Sequence, residues 1–209
     1  MDVQFYGANC LVFNTKDLRV VVDDNLAALG AKTVAREGDL ALFTNKHDGT
    51  APKGVKMVID MPGEYEISGV IIHGVPARSH LDEEGKHSAT IYTIEADDLK
   101  IAVIGHIYPE LSEDQLEQIG LVDIAVVPVG GNGYTLDGVG ALGIIKQIEP
   151  KVVIPTHYAD KAVNYEVPQA ALADALKSLG MEPAETLDKY KPKPADLTDT
   201  TRLIVLNRQ

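Results

Sequence analysis

Three histidines and an acidic pair follow apolar runs. His106 comes directly after LKIAVIG (99–105), His157 directly after KVVIPT (151–156), His47 shortly after LALF (40–43), and Asp23 and Asp24 directly after LRVVV (18–22). A fourth histidine, His80, lies a short loop beyond GVIIHGV (69–75). Imidazole nitrogens and carboxylate oxygens are the ligands expected of zinc and similar ions. A water held on such an ion loses a proton near neutral pH and becomes a nucleophile. That chemistry requires the side chains to meet. They meet if the runs are strands of one α/β sheet, because the loops beyond the carboxyl ends of such strands converge on one cleft. The alternative for each histidine is a hydrogen-bonding loop residue. His73, within GVIIHGV, and His87, in the charged turn DEEGKHS (82–88), read as solvent-facing.

Other catalytic signatures are absent from the sequence. GGNG (130–133) is glycine-rich but lacks the Lys and Ser/Thr of a phosphate-binding loop. No G-x-S-x-G occurs, so a serine-hydrolase elbow has no support. Cys10 lies in a strand-like run and reads as core rather than nucleophile. It is the only cysteine, which excludes an internal disulfide and suits a reducing compartment. The expected location is the cytoplasm, because the MDVQFYGANC start has no leader pattern and no apolar run approaches bilayer length. The 31 acidic residues against 19 basic ones leave a formal charge of -12, which repels phosphate backbones and disfavours nucleic acid as a partner. A small molecule or a protein is the expected partner.

The elements that must position these residues change rhythm along the chain. Short β-branched or aromatic runs fill the first half: VQFYG, CLVFN, LRVVV, LALF, KMVID, GVIIHGV and ATIYTIE. The second half alternates continuous apolar runs with helical patterns. Ser112 with Gln115 forms a capping box, with Leu111 and Leu116 as a hydrophobic staple, and Gly120 ends that helix. Asp137 caps the next, whose Ala141, Ile144, Ile145 and Ile148 form one stripe. A last helix is expected over 168–179, closed by Gly180, and RLIVLN (202–207) reads as a final strand. Strands first, then strand–helix alternation, predicts a layered α/β domain, here a single one over 1–209.

Five segments together resemble the metallo-β-lactamase fold family, in its ascorbate-phosphate-lactonase-like branch of metal-dependent hydrolases. They are VQFYGANC (3–10), RVVVDDN (19–25), MPGEYEISGVIIHGVPA (61–77), the stretch from LKIAVIGHIYPE to the PVGG turn (99–131), and EPKVVIPTHY (149–158). The resemblance covers nearly the whole chain and implies an αββα four-layer sandwich. It also implies a two-metal centre whose first ligands form T-H-x-H-x-D-H.

The chain departs from that pattern where the chemistry lies. In the frame beginning at Thr44, the first family histidine is Asn45, the second is kept as His47, the aspartate is Gly49 and the next histidine is Thr50. His80 only approximately matches the third ligand position, and His106 replaces the bridging aspartate. The last ligand is kept as His157, and the early G-H is Gly7-Ala8. By resemblance, His47, His80, His106 and His157 remain for one zinc or similar ion, or for none, with Asp23 orienting a ligand histidine from behind. Tyr134, Thr135, Glu64 and Tyr65 are candidates for the cleft mouth, or plain turn residues. The expected function is a relative of metal-dependent hydrolases whose two-metal site is lost or reduced. Such a protein is either non-catalytic and binds a ligand or partner, or hydrolyses a small ester, lactone or phosphodiester with one metal.

Overall fold

The computed structural model describes residues 1–47, 49 and 52–209; Thr50, one of the departures from the family pattern, lies outside the described residues. Two sheets form the frame. The first has strands β1 (Asp2–Gly7), β2 (Cys10–Asn14), β3 (Arg19–Val22), β4 (Leu40–Leu42) and β5 (Met57–Ile59), in that order. The second has β6 (Gly63–Ile67), β7 (Val70–Ala77), β8 (Ala89–Ala96), β9 (Leu99–Val103), β10 (Ile124–Pro128), β11 (Val152–Thr156), β12 (Pro183–Leu187) and β13 (Arg202–Leu206). Its spatial order is β12-β13-β11-β10-β9-β8-β7-β6. The change of rhythm in the sequence marks a change of pairing: β6 to β9 pair antiparallel, whereas β9, β10, β11, β13 and β12 run parallel.

The central parallel strands β10 and β11 are buried throughout because both their faces are covered. On β10, Ile124 and Val126 enter the core between the sheets, while Ala125 and Val127 face the helices. On β11, Val152 and Ile154 point one way and Val153 the other. Each fully buried valine or isoleucine among them contributes about 1.5–3 kcal/mol. The helices α1 (Glu113–Ile119), α2 (Gly138–Ile148) and α3 (Leu172–Leu179) share the outer core with this sheet.

The expected caps form. Ser112 accepts from the Gln115 backbone N–H while its own N–H donates to the Gln115 side chain, and Asp137 accepts from Gly140 N at 2.7 Å. The α2 stripe is buried as read, including Ala141, Ile144, Ile145 and Ile148. The last helix starts later than expected, at Leu172, because the chain before it is held by other loops. Ala170 N donates to Gly130 O, and Ala159 N donates to Ala170 O.

The fourth layer also differs in make-up from the expected one. Among the described residues, no helix covers the outer face of the five-stranded sheet. Leu26, Leu29, Ala31, Val34 and Ala35, from a segment of turns, pack there with Val163 and Tyr165 over Cys10, Val12 and Val21. Asp24 organises that segment. Its Oδ2 accepts from the backbone N–H of Val34 and of Ala35, each at 2.7 Å. Asp24 is itself buried.

Candidate functional site

The parallel half of the large sheet delivers two histidines to one place. β9 and β11 flank β10, and His106 and His157 come just past their carboxyl ends. Their ring centroids are 4.6 Å apart with the planes at 89°. Both line a cavity of about 200 Å3, whose walls also include Asn9, Asp23, Tyr134, Tyr165 and Gln169.

Backbone geometry at this point is unusual. Ala8, Asp23 and His157 all have left-handed φ, at 48°, 47° and 54°. Such conformations cost a non-glycine residue of order 1 kcal/mol and cluster where surrounding structure over-determines them. Here the determinants are visible. His157 N donates to Ala8 O at 2.7 Å, and Asp23 N donates to Leu42 O at 2.8 Å. Gly130, in the PVGG turn, passes so close that a Cβ there would lie 2.0 Å from His157 O and 2.2 Å from Gln169 Oε1.

Gln169 fixes the tautomer of His157. Its Nε2 donates to Val167 O at 2.7 Å, which turns Oε1 toward the imidazole. An amide oxygen only accepts, so His157 Nδ1 carries the proton and donates across 3.1 Å. Nε2 is left with the lone pair. Burial pushes the His157 pKa down to about 3, with His106 adding repulsion, and burial pushes His106 down to about 4. Both rings are therefore neutral at physiological pH. His106 is only 8% exposed, and among the described residues neither of its ring nitrogens has a hydrogen-bond partner. A buried polar group left in this way costs about 1–3 kcal/mol.

Asp23 has a different job from the one implied by resemblance. It is buried, and its oxygens accept from Thr44 N and Thr44 Oγ1 at 2.7 Å each and from Asn9 Nδ2 at 2.5 Å. Asn9 Oδ1 in turn accepts from Thr156 Oγ1 at 2.6 Å. The carboxylate thus braces the strand end before His157 through Asn9, instead of bonding an imidazole. Burial raises its pKa, and the same donors oppose that rise.

The remaining predicted residues are distributed around this centre. His80 adjoins His106 through the backbone, its N–H donating to His106 O at 2.8 Å, and its Nδ1 is buried without a hydrogen-bond partner among the described residues. His80 is not part of the cavity wall. Neither is His47, whose ring stacks on Phe43 at 4.0 Å and 16° and whose backbone N–H donates to Asp60. Asn45 forms an isolated bridge with Ala89, and a Cβ on Gly49 would meet the His47 ring at 3.0 Å. Tyr134 lines the cavity, edge-on to His106 at 5.4 Å. Thr135 is buried. Glu64 and Tyr65 belong to the edge strand β6, outside the cavity wall. His73 is half-buried on β7 rather than fully solvent-facing, and His87 is exposed.

Asn9, Tyr165, Glu166 and Gln169 reach the site without having been singled out from the sequence. A polar and aromatic run eight to twelve residues beyond His157 was the available signal for the last three. Asn9 carried none, because its partner Thr156 is 147 positions away.

Among the described residues, the side chains do not assemble a two-metal centre of the family kind. Among the described residues, no three His, Cys, Asp or Glu side chains form a group able to hold a metal ion. A single ion at the cavity would rely on the His106–His157 pair. Among the described residues, no helix is long and apolar enough to cross a membrane.

Comparison with known proteins agrees with the two-sheet architecture. A protein from Thermotoga maritima, proposed to be a Zn-dependent hydrolase of the metallo-beta-lactamase superfamily, is similar over 99% of this chain and 98% of its own, with a TM-score of 0.75 and 23% identity. A Parabacteroides distasonis protein, proposed to be a metal-dependent hydrolase, covers 98% and 93%, with a TM-score of 0.63 and 19% identity. An isothiocyanate hydrolase from Delia radicum gut bacteria covers 97% and 96%, with a TM-score of 0.62 and 13% identity. At such identities the likeness concerns the fold. The sequence itself matches the beta-lactamase superfamily domain across residues 2–157. With its two facing sheets and the helices on the larger one, the chain belongs to the beta-lactamase superfamily and has the metallo-β-lactamase fold.

Proposed function

We propose that the protein is a non-catalytic relative of metal-dependent hydrolases, whose cavity at His106 and His157 binds a small molecule without a two-metal centre. The observation that carries this reading is the pair of neutral, buried imidazoles beside a cavity, with His106 unpartnered at both ring nitrogens among the described residues. In the family pattern a carboxylate bridges the two cations, and His106 stands in its place. Asp23 does not substitute, because Thr44 and Asn9 already occupy its oxygens. In this reading the chain is one functional unit over 1–209 and works in the cytoplasm, where the buried free thiol of Cys10 stays reduced.

A second reading, a mononuclear hydrolase of a small ester, lactone or phosphodiester, draws on the same nitrogens. His106 and His157 would hold one zinc or similar ion, with His80 or His47 joining only after their loops shift. Such an ion supplies an acidified water. The chain's own part would be to present His157 Nε2, through the Gln169 lock, and to wall the site with Tyr134.

Metal analysis of protein purified without a histidine tag separates the readings. The expected result is no zinc that survives dialysis and an unchanged thermal transition after chelation. One retained equivalent per chain would favour the mononuclear hydrolase. Two equivalents would overturn both readings.

A further inference from the structure

Most polar side chains in the deep wall of the cavity are already occupied by the protein. Asp23 accepts from Thr44 and Asn9, Asn9 Oδ1 accepts from Thr156, and Gln169 binds Val167 O through its nitrogen and His157 through its oxygen. Both ring nitrogens of His106 are enclosed by protein. The wall therefore presents chiefly carbon to an occupant. Leu29 and Val167, both half-buried, contribute aliphatic surface, and the half-buried Tyr134 and Tyr165 contribute rings. Tyr134 lies 5.7 Å from the His157 ring at 27°, and Tyr165 lies 5.1 Å from it at 52°. The Tyr165 hydroxyl donates to Tyr158 O at 2.9 Å, which holds that ring in place. The exposed polar side chains of the lining, Asn25 and Glu166, stand at its mouth.

These features sort the occupants. An anion would meet the carboxylates of Asp23 and Glu166, and among the described residues no lysine or arginine lines the cavity. A cation moved inward would leave water without finding an uncommitted carboxylate, because Asp23 is bound to Thr44 and Asn9. A polyhydroxylated molecule would leave buried hydroxyls without partners. An aromatic ring leaves water favourably and gains offset or edge-on contact with the tyrosines. The volume, about 200 Å3, suits a single ring, since a cavity of about 150 Å3 holds benzene.

We propose that the cavity binds a small uncharged aromatic molecule of one ring, packed against Tyr134, Tyr165 and Leu29, with any polar substituent directed to Asn25 and Glu166 at the mouth. This inference names the ligand class for the proposed small-molecule site and rests on that reading.

Calorimetry on the full chain tests it with benzyl alcohol, cyclohexylmethanol, benzoate, benzylammonium and zinc as probes. Benzyl alcohol should bind about fivefold tighter than cyclohexylmethanol, which has the same heavy atoms without an aromatic ring. It should bind about tenfold or more tighter than benzoate, and benzylammonium should bind no tighter than the alcohol. Leu29→Trp, which places an indole in the cavity from a half-buried turn position, should abolish binding of the alcohol. Tyr134→Leu should weaken it about fivefold. Circular dichroism and the thermal transition check that both variants fold. Absence of benzyl alcohol binding, equal or tighter binding of cyclohexylmethanol or benzoate, benzylammonium binding about tenfold tighter than the alcohol, or alcohol binding untouched by both variants would overturn the inference. If zinc stays unbound in those cases, the proposed function stands. Two tightly held zinc ions per chain would instead overturn the proposed function itself.

Discussion

Beyond the carboxyl end of β4, the chain turns its histidine onto an aromatic ring; beyond β9 and β11 it holds two against a cavity. At β4, His47 lies flat on Phe43, Asn45 bridges to Ala89, and Gly49 leaves just enough room for the imidazole. At β9 and β11, His106 and His157 are more deeply buried, yet nitrogen atoms of His106 lack hydrogen-bond partners among the described residues. The difference lies in what surrounds each loop. The 157–170 segment is tied to the PVGG turn, to Ala8 and to Leu29 by backbone hydrogen bonds, so His157 is held from several sides. Two histidines at strand ends can thus have the same sequence signature and opposite roles, one settled by local stacking and one held open by distant contacts.

The contrast predicts unequal tolerance of a single methyl group. Gly130→Ala should be the most damaging change, costing about 3 kcal/mol or more, because its Cβ would sit 2.0 Å from a backbone oxygen that has nowhere to go. Chemical denaturation measures this, and a loss under 1 kcal/mol would mean that the two loops are not rigidly joined. Gln169→Leu comes next. It leaves His157 Nδ1–H buried without an acceptor and should cost about 1–3 kcal/mol. Nitrogen NMR on the imidazole should also show loss of the single tautomer; a ring that stays locked would assign the lock to another group.

Acid should act on the cavity side. His106 and His157 have folded pKa values of about 4 and about 3, below their ordinary 6.5. Between those limits the unfolded chain binds more protons, so their contribution is complete above about pH 6.5 and is lost as pH falls toward 4. The slope is at most about 1.4 kcal/mol per pH unit for each ring. His106→Phe should flatten the stability profile in this window. An unchanged profile would remove the claim that His106 is held neutral by burial. Asp23, with its pKa raised, works in the opposite sense, favouring the folded state at pH values below its own titration. The smallest effect is expected at the other strand end. Gly49→Ala meets only the rim of the His47 ring, a side chain able to move, and should change the melting free energy by less than about 0.5 kcal/mol. A cost matching that of Gly130→Ala would erase the distinction between the two regions.

Much of the frame was legible because its signals are local. The continuous apolar runs became the parallel strands, and the Ser112 and Asp137 caps formed where a side-chain oxygen stood one turn ahead of a free N–H. The missing readings have the opposite character. β12, Pro183–Leu187, carries mostly exposed residues and is a strand because its backbone pairs with β13. The start of α3 was displaced by backbone bonds that tie Ala170 to Ala159 and to the distant Gly130. The turn segment covering the small sheet took the place of a helix by anchoring two backbone N–H groups on Asp24.

For the site, the sequence by itself determined which residue types stand at strand ends, since the apolar run before each is a one-dimensional pattern. It thereby set His106 and His157 near each other as soon as β9, β10 and β11 became neighbours. It also determined the loss of carboxylates at Gly49 and His106. Tertiary structure decided the rest. Only packing could show that His47 lies on Phe43, that Asp23 spends its oxygens on Thr44 and Asn9, and that Gln169 leaves His157 Nε2 with the lone pair. The contacts to Asp23 span 14 and 21 positions, and the Asn9 that holds it meets Thr156 across 147. A hydrogen bond is decided by distances of tenths of an ångström and by the direction of a lone pair. Neither quantity is written in the order of residues along a chain.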